Sequence, residues 1–221
     1  MTNLLYRWPA AAKFGKRVPK DKFYEHGSVP ASVRERFVSD VQRLIWAYKL
    51  AEVTINLPGS EAVPEIQVFR VDAKEHDVSN AVLTAIDKAI PSPIIFEITR
   101  DDGRDRSVRM VAAQKQVGSG AQRLSAYYST TWQQADVERR PLPTAINLAA
   151  LYAALLDPLL PVTARAGEDG SEVAARVQAV RALEREIASL ERKLRTEPQL
   201  NRKIDLRRTL QNKQSELEQQ R

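Results

Sequence analysis

The chain has 221 residues, 43% hydrophobic and 28% charged, which predicts a folded protein rather than a disordered one. It contains no cysteine, which excludes disulfides, thiolate metal sites and cysteine nucleophiles. The formal net charge of +6 is compatible with nucleic acid or an acidic protein as a partner and selects neither. Because the chain shows no basic-then-apolar leader and no apolar run near the ~18–20 residues of a membrane span, we expect a cytoplasmic protein without a membrane segment.

Residues 1–30 form a predicted N-terminal arm in which prolines and glycines prevent a long helix. Its candidate nucleic-acid-binding residues are Lys13, Lys16, Arg17, Lys20 and Lys22. Aromatic side chains lie among them, at Trp8, Phe14, Phe23 and Tyr24. Two interpretations stay open. The arm either forms a groove for nucleic-acid backbone and bases, or packs its aromatics onto the domain while its lysines face water.

Residues 31–160 are predicted to form one α+β domain. Apolar residues recur every three or four positions from residue 32 to about 49, which predicts a long amphipathic helix. The β-favouring residues 50–58 predict a strand that ends at Pro58-Gly59. A second strand is predicted over 65–73, followed by a short helix from residue 77 or 79 to about 89.

The second half of this domain is predicted to be mostly strand. Residues 91–99 are almost continuously apolar, which indicates a central strand covered on both faces. The turn DDGRD at 101–105 leads to a return strand over 107–117, and a glycine turn at 118–120 leads to a fifth strand over 123–132. A helix over 144–160 closes the domain. This order of helices and strands along the chain predicts an α+β fold with a mixed or antiparallel sheet and packed helices.

A polar linker is predicted over 161–171, and a helical tail over 172–221. Val173, Val180, Ile187 and Leu194 lie seven apart, a coiled-coil spacing that Arg176 interrupts. Since Pro198 is tolerated only in a helix's first turn, we expect a second helix from about residue 197 and an antiparallel hairpin. A single unbroken helix and a hairpin folded back on its own domain are the alternatives.

The surplus of basic residues in the tail is concentrated between Arg192 and Arg208, at the predicted tip of the hairpin. Candidate nucleic-acid contacts there are Arg202, Lys203, Arg207 and Arg208. Candidate protein contacts are Leu190, Leu194, Leu200 and Ile204. A projecting pair of helices with a basic tip is suited to a partner's groove or a phosphate backbone. Pairing of two hairpins into a homodimer is a further alternative.

Catalytic signals are weak. Asp72-Ala73-Lys74 follows the D/E-x-K pattern in which a carboxylate holds Mg²⁺ and a lysine orients water, but no second acid is evident on a preceding strand. Glu97 lies in an apolar strand, and its expected partner is Arg109 or Lys115. The two histidines, His26 and His76, lack ligand spacing. The sequence therefore predicts no metal, no cofactor and, on balance, no enzyme.

Four segments, taken in order, resemble an uncharacterised bacterial family, the domain-of-unknown-function family numbered 4391. They are FGKRVPKDKFYE, VQRLIWAYKLAEVTINL, PSPIIFEI and LNRKIDLRRTLQNKQSELE. The resemblance covers nearly the whole chain and supplies no catalytic residues. It implies genes encoded beside DNA methyltransferases and DEAD/SNF2-type helicases in restriction-like, anti-phage clusters.

The first hypothesis is accordingly a non-catalytic accessory subunit that docks through its hairpin onto a DNA methyltransferase or helicase, with DNA contact in addition. The alternatives are a metal-dependent nuclease of restriction-endonuclease-like type, built on Asp72 and Lys74, and a standalone DNA-binding protein.

Overall fold

The structure is a computed structural model that describes residues 5–25, 29–103, 105–116, 123–160 and 170–220. The chain divides into two compact units, which we call the sheet unit (residues 1–159) and the hairpin unit (residues 160–221). The predicted glycine turn at 118–120 and residues 161–169 of the predicted linker lie outside the described residues, as does His26. No helix in the described part of the chain is both long enough and apolar enough to cross a bilayer.

The sheet unit is built on a mixed sheet. Its strands are β1 (Lys13–Arg17), β2 (Val41–Leu50), β3 (Ile66–Ala73), β4 (Ile94–Asp101), β5 (Arg106–Gln116), β6 (Arg123–Ser129) and β7 (Gln133–Gln134). They are ordered β1-β2-β3-β4-β5-β6, and β7 also pairs with β5. Only β3 and β4 are parallel among these pairings. The predicted fold class, a mostly antiparallel mixed sheet with packed helices, is confirmed.

Helices pack on one face of the sheet. The helices of this unit are α1 (Asp21–Glu25), α2 (Ala31–Asp40), α3 (Glu52–Ile55), α4 (Asn80–Ala89) and α5 (Leu148–Leu156). Phe37 of α2 and Leu83 of α4 pack with Phe69 and Phe96 of the central strands in one buried core. The short helix predicted to end at about residue 89 is α4, and it turns Leu83 and Ile86 inward. The predicted central strand is confirmed too, since residues 94–99 of β4 are buried.

At one end, the second face of the sheet is covered by α5. There α5 buries Leu151 and Leu155, and the Tyr152 hydroxyl donates a 2.6 Å hydrogen bond to the Ala113 carbonyl. Because side chains alternate along a strand, Arg70, Asp72, Glu97 and Thr99 share this face. These four lie toward the carboxyl ends of β3 and β4, away from Ala113 in the register of β4 with β5.

A buried ion pair joins α4 to the sheet. The Lys115 side chain is 0% exposed, and its Nζ lies 3.0 Å from Asp87 Oδ1. It also donates to the carbonyls of Asp87, Ile90 and Ser92 at 2.7–3.0 Å, which satisfies the end of α4. The Tyr127 hydroxyl donates to Asp87 Oδ2 at 2.6 Å. Burial raises the pKa of Asp87 and lowers the pKa of Lys115.

The predicted helix over 32–49 is wrong in its second half, because α2 ends at Asp40 and residues 41–50 form β2. The reason lies in two irregularities of strand register, between Val41 and Arg43 and between Trp46 and Tyr48. Each shifts the alternation of faces, so the buried positions become 41, 44, 47 and 50. A bulged strand thus reproduces the three-residue spacing of a helix.

The predicted strand over 50–58 is also wrong, since residues 52–55 form the short helix α3. The Thr54 hydroxyl accepts from the Ala51 backbone N–H at 2.9 Å and caps the start of this turn. Asn56 ends it with a positive φ of 54°, a conformation that asparagine tolerates. Val53 is 92% exposed, so local capping outweighs the β preference of Val, Thr and Ile here.

The hairpin unit contains α6 (Gly170–Thr196) and α7 (Leu200–Gln220), which pack against each other as the predicted hairpin. Pro198 lies in the short connection, so the single-helix alternative is wrong. Two basic residues, Arg176 and Lys213, join the helices. Arg176 donates to the Gln220 carbonyl at 2.9 Å, and Lys213 lies 3.2 Å from Glu186.

Candidate functional site

Five arginines surround two buried carboxylates, Asp72 and Glu97, on the second sheet face. We call this surface the arginine face; its arginines are Arg7, Arg43, Arg70, Arg106 and Arg139. The parallel pairing of β3 with β4 places Arg70 opposite Glu97 and Asp72 opposite Thr99. In sheets with parallel strands, the carboxyl ends of those strands are the usual place for a ligand.

Glu97 is the buried centre of this cluster, with 0% exposure. Its Oε1 accepts from Trp8 Nε1 at 2.8 Å and from Arg139 Nη1 at 2.5 Å. Arg70 lies farther away, with Nη2 at 3.7 Å from Oε2. Glu97 therefore fastens the N-terminal segment and residue 139 to the middle of the sheet, and it leaves Arg70 only loosely engaged.

The predicted partners of Glu97, Arg109 and Lys115, are wrong. In the register of β4 with β5, Arg109 stands opposite Ile98 and therefore shares the helix-covered face. It pairs there with Asp77 at 2.7 Å, while Lys115 pairs with Asp87. The arginines that reach Glu97 come from β3 and from residue 139 instead.

Asp72, the weak candidate for a metal-holding carboxylate in the nuclease alternative, is held by arginines. Its Oδ2 lies 2.6 Å from both Nε and Nη2 of Arg43, while its Oδ1 accepts from the Thr99 hydroxyl and lies 3.3 Å from Arg106. A metal ion would have to displace both arginines. Lys74 exposes its side chain, and its backbone N–H donates to the Asp40 carbonyl at 2.8 Å. Among the described residues, no three His, Asp or Glu side chains group as metal ligands.

Two cavities open on the arginine face. The larger, of about 330 Å³, is lined by Arg7, Trp8, Tyr48, Arg70, Thr99, Arg106, Val108, Ala135 and Arg139. The smaller, of about 150 Å³, is lined by Gln42, Arg43, Asp72, Ala73, Thr99, Arg100, Asp101 and Arg106. Thr99 and Arg106 are common to both. The Trp8 and Tyr48 rings, with centroids 6.1 Å apart, give the larger cavity an aromatic wall. Such a surface is suited to an anion attached to a planar group.

The predicted arm contributes the edge strand β1, all of whose residues are exposed, Lys13, Lys16 and Arg17 included. Phe14 packs on Trp46 with centroids 4.5 Å apart, and Lys16 Nζ lies 4.9 Å from the centre of the Phe14 ring. Lys22 is exposed on α1. These basic side chains lie on or beside an edge of the sheet and do not line the two cavities, although Lys13 stands opposite Tyr48 in the register of β1 with β2.

Lys20 has a structural role. Its Nζ donates to the Phe37 carbonyl at 2.9 Å and to the Val41 carbonyl, and so satisfies the end of α2. Burial lowers the pKa of Lys20, and the nearby charges of Lys74 and Arg17 lower it further. In the sequence, Lys20 looks like the other lysines of the arm. Only the structure shows that its side chain binds backbone carbonyls at the end of α2.

The tip of the hairpin unit is basic and partly apolar. Residues 192–208 contain seven basic and two acidic side chains, a surplus of five in a chain whose formal net charge is +6. Arg202, Arg207 and Arg208 are exposed and Lys203 is half-buried. Of the predicted protein contacts, Leu190 and Leu194 are half-buried, Ile204 is 55% exposed, and the Leu200 side chain lies outside the described residues.

A shallow groove of about 380 Å³ also lies at this tip. It is lined by Lys193, Thr196, Glu197, Arg202, Asp205, Leu206 and Thr209. The tip therefore offers both apolar and charged contacts to a second molecule.

The family model described as "Domain of unknown function (DUF4391)" matches residues 7–217. The chain belongs to this family. The match covers most of both units, which confirms the resemblance drawn from the sequence. No curated protein and no solved structure matches the chain.

Sequence reasoning missed the arginine face because its members are far apart in the chain. One signal was visible. Arg70 and Glu97 each interrupt an otherwise apolar strand, and a charged residue in a buried strand indicates either a partner or a site. The pattern could not show that Arg7 and Arg139 join them.

Proposed function

We propose that this protein is a cytoplasmic, non-catalytic accessory subunit of a DNA-modification or anti-phage defence system, and that it docks through its hairpin unit onto a DNA methyltransferase or helicase. The observation that carries the proposal is the incomplete burial of the hairpin's apolar seam. Five of its residues are only half-buried, namely Ile187, Leu190, Leu194, Leu206 and Leu210.

Two helices bury one seam between them, whereas stable helical bundles cover a wider apolar stripe with further helices. The half-exposed leucines and the 55% exposed Ile204 therefore favour an additional helical element. Covering this surface would remove apolar area from water, worth about 25 cal/mol per Å² before the costs of association. A partner that supplies such an element would complete the bundle.

Charge indicates what kind of partner fits. The surplus of five positive charges over residues 192–208 favours an acidic surface beside the half-buried leucines. Complementary charge accelerates association and rejects basic competitors. The methyltransferase or helicase identity follows from the genes that the family resemblance implies as neighbours, and it is the part of the proposal to test first.

The test begins with affinity purification of the full chain from its native host, with nuclease added to remove DNA-mediated contacts. A methyltransferase or helicase recovered in this way is then purified and its affinity for the chain is measured directly. We expect Ile204→Asp to weaken that affinity by at least about tenfold, ~1.4 kcal/mol, because a carboxylate would be buried against the partner.

Val53→Asp is the matched control, since Val53 is an exposed apolar residue of the sheet unit, at 92% exposure. It should leave the affinity unchanged. Equal affinity of wild type and Ile204→Asp would show that the hairpin is not the docking surface. If neither enzyme is recovered, or if Ile204→Asp instead dissociates a dimer of the chain, the hairpin has another occupant and the proposal fails.

A further inference from the structure

We propose that the larger cavity of the arginine face binds the phosphate group of a nucleotide. This inference uses residues of the sheet unit alone and does not depend on the docking role of the hairpin. It rests on the arrangement of Arg7, Arg70 and Arg106 beside the aromatic wall.

The charge of the cavity is unbalanced. Four arginines line it, and the buried Glu97 is engaged mainly by one of them, Arg139. The other three make few contacts within the described part of the chain. Arg7 donates to the Arg139 carbonyl at 3.3 Å, Arg70 lies 3.7 Å from Glu97, and Arg106 lies 3.3 Å from Asp72.

These three arginines retain donors for a ligand. A guanidinium carries five N–H donors, and each of the contacts just described engages only part of that set. The Arg70 and Arg106 side chains are 35% and 48% exposed, so their remaining donors are accessible from the cavity. Like charges held together repel, and an anion bound between them would relieve that repulsion.

Phosphate is the anion that best suits this geometry. The planar fork of arginine matches two phosphate oxygens, and charge-assisted hydrogen bonds of this kind are the strong ones. A phosphate carries enough oxygens to engage several guanidinium groups together, whereas a carboxylate has two.

The rest of the cavity indicates a nucleotide rather than inorganic phosphate. Beside the arginines lie the half-buried Tyr48, whose ring is of the kind on which nucleobases stack, and the edge of Trp8, which is 6% exposed and backs Tyr48 from the core. A volume of about 330 Å³ leaves space beyond the phosphate for a sugar and a base. The smaller cavity continues the surface through Arg106 toward Arg43, so the same chemistry is available to a free nucleotide or to a nucleotide within a single strand.

The experiment is a calorimetric titration of the full chain, at low salt, with 2′-deoxyadenosine 5′-monophosphate. We expect binding that weakens by at least about tenfold, ~1.4 kcal/mol, in the double variant R70Q/R106Q. The control R192Q/R195Q also removes two positive charges, but from the exposed surface of the hairpin unit. It should change the affinity less than about twofold. Circular dichroism verifies that each variant is folded.

Two further probes identify the source of the ligand. Deoxyadenosine, which lacks the phosphate, should bind at least about tenfold more weakly. A 5′-phosphorylated hexathymidylate that binds much more tightly than the mononucleotide, with the same loss in R70Q/R106Q, would assign a nucleic-acid strand. Equal affinity would assign the free nucleotide.

The lysine variant R70K/R106K retains the charge and removes the planar fork, so we expect an intermediate affinity. The proposal is overturned if R70Q/R106Q binds like wild type, if the hairpin control loses as much affinity, or if deoxyadenosine binds as well as its monophosphate. It is equally overturned if no probe binds at millimolar concentration.

Discussion

The two units of this protein differ in how completely they bury their apolar side chains. In the sheet unit, Phe37, Phe69 and Leu83 are at most 1% exposed, and even the charged Lys115 and Glu97 have fully buried side chains with partners. In the hairpin unit, Val180 and Leu183 are buried, but the leucines nearer the tip, at 190, 194, 206 and 210, are only half-buried, and the ion pairs of Lys213 lie at the surface. The sheet unit completes its own core, whereas the hairpin unit has an apolar surface suited to another molecule. Substitutions in the two units should therefore have different consequences.

The largest contrast concerns buried charge. Asp87→Ala would leave the Lys115 ammonium, 0% exposed, without its carboxylate, and we expect a loss of about 3–5 kcal/mol in the free energy of unfolding. Denaturant unfolding followed by tryptophan fluorescence measures it, since Trp8, Trp46 and Trp132 all lie in the sheet unit. Asp77→Ala, which removes the 45% exposed partner of Arg109, is the control and should cost at most about 1 kcal/mol. Similar losses of unfolding free energy in both variants would show that burial does not make the Asp87–Lys115 pair more important for stability.

The second contrast concerns leucines. Leu83→Ala opens a cavity in a fully buried site and should lower the free energy of unfolding by about 2–5 kcal/mol. Leu194→Ala, at a half-buried position of the hairpin unit, should cost about 1 kcal/mol in the free chain. Far-UV circular dichroism during denaturant unfolding reports both units.

Adding the docking partner sharpens this comparison. If the partner covers the hairpin seam, Leu194→Ala should weaken the complex, while Leu83→Ala should leave the intrinsic affinity unchanged in the folded fraction. If Leu194→Ala lowers the free energy of unfolding of the free chain as much as Leu83→Ala does, the hairpin already possesses a complete core.

The smallest expected effect is a pH-dependent change in the stability of the sheet unit. Burial alone would raise the pKa of Asp40, but hydrogen bonds from Ser39 and Ser79 and the charge of Arg36 outweigh it, so the pKa lies below its ordinary value of 3.8. The stability contributed by the ionised carboxylate is therefore present above that value and lost as the pH falls through the lower, folded-state pKa.

We expect Asp40→Asn to cost about 1 kcal/mol near neutral pH, because the Ser39 hydroxyl at 2.6 Å and the Ser79 N–H at 3.1 Å lose a charged acceptor. The difference from wild type should shrink as the pH is lowered to about 3. Unfolding followed by tryptophan fluorescence at several pH values tests this. A difference that stays constant over the whole range would contradict the ionic role of Asp40.

The sequence predicts the fold class and the hairpin because their signals are local and repetitive. Strand alternation at 66–73, the apolar run at 94–98 and the seven-residue spacing of the tail each belong to one element. The β2 strand escaped prediction because its two bulges convert a two-residue period into a three-residue one. The α3 helix escaped because its capping contacts at Thr54 and Asn56 outweigh residue preferences.

The arginine face could be predicted only in part. That Arg70 and Glu97 are unusual is visible from the apolar residues around them, but Arg7 and Arg139 stand 132 positions apart and meet only in the fold. The side on which a strand residue projects depends on register, and register placed Arg109 on the face opposite Glu97. Charge identity can be read from the sequence, whereas the pairing of charges depends on tertiary structure.

The exposed strand β1 has a consequence for solubility. It forms one edge of the sheet, and an edge strand offers backbone donors and acceptors to any other extended chain. Lys13, Lys16 and Arg17 place three positive charges along its five residues, and the register is irregular between Lys13 and Lys16. A second copy that approached edge to edge would meet the same charges. These basic residues therefore protect the protein from growing into aggregates by strand addition, whatever else they contact.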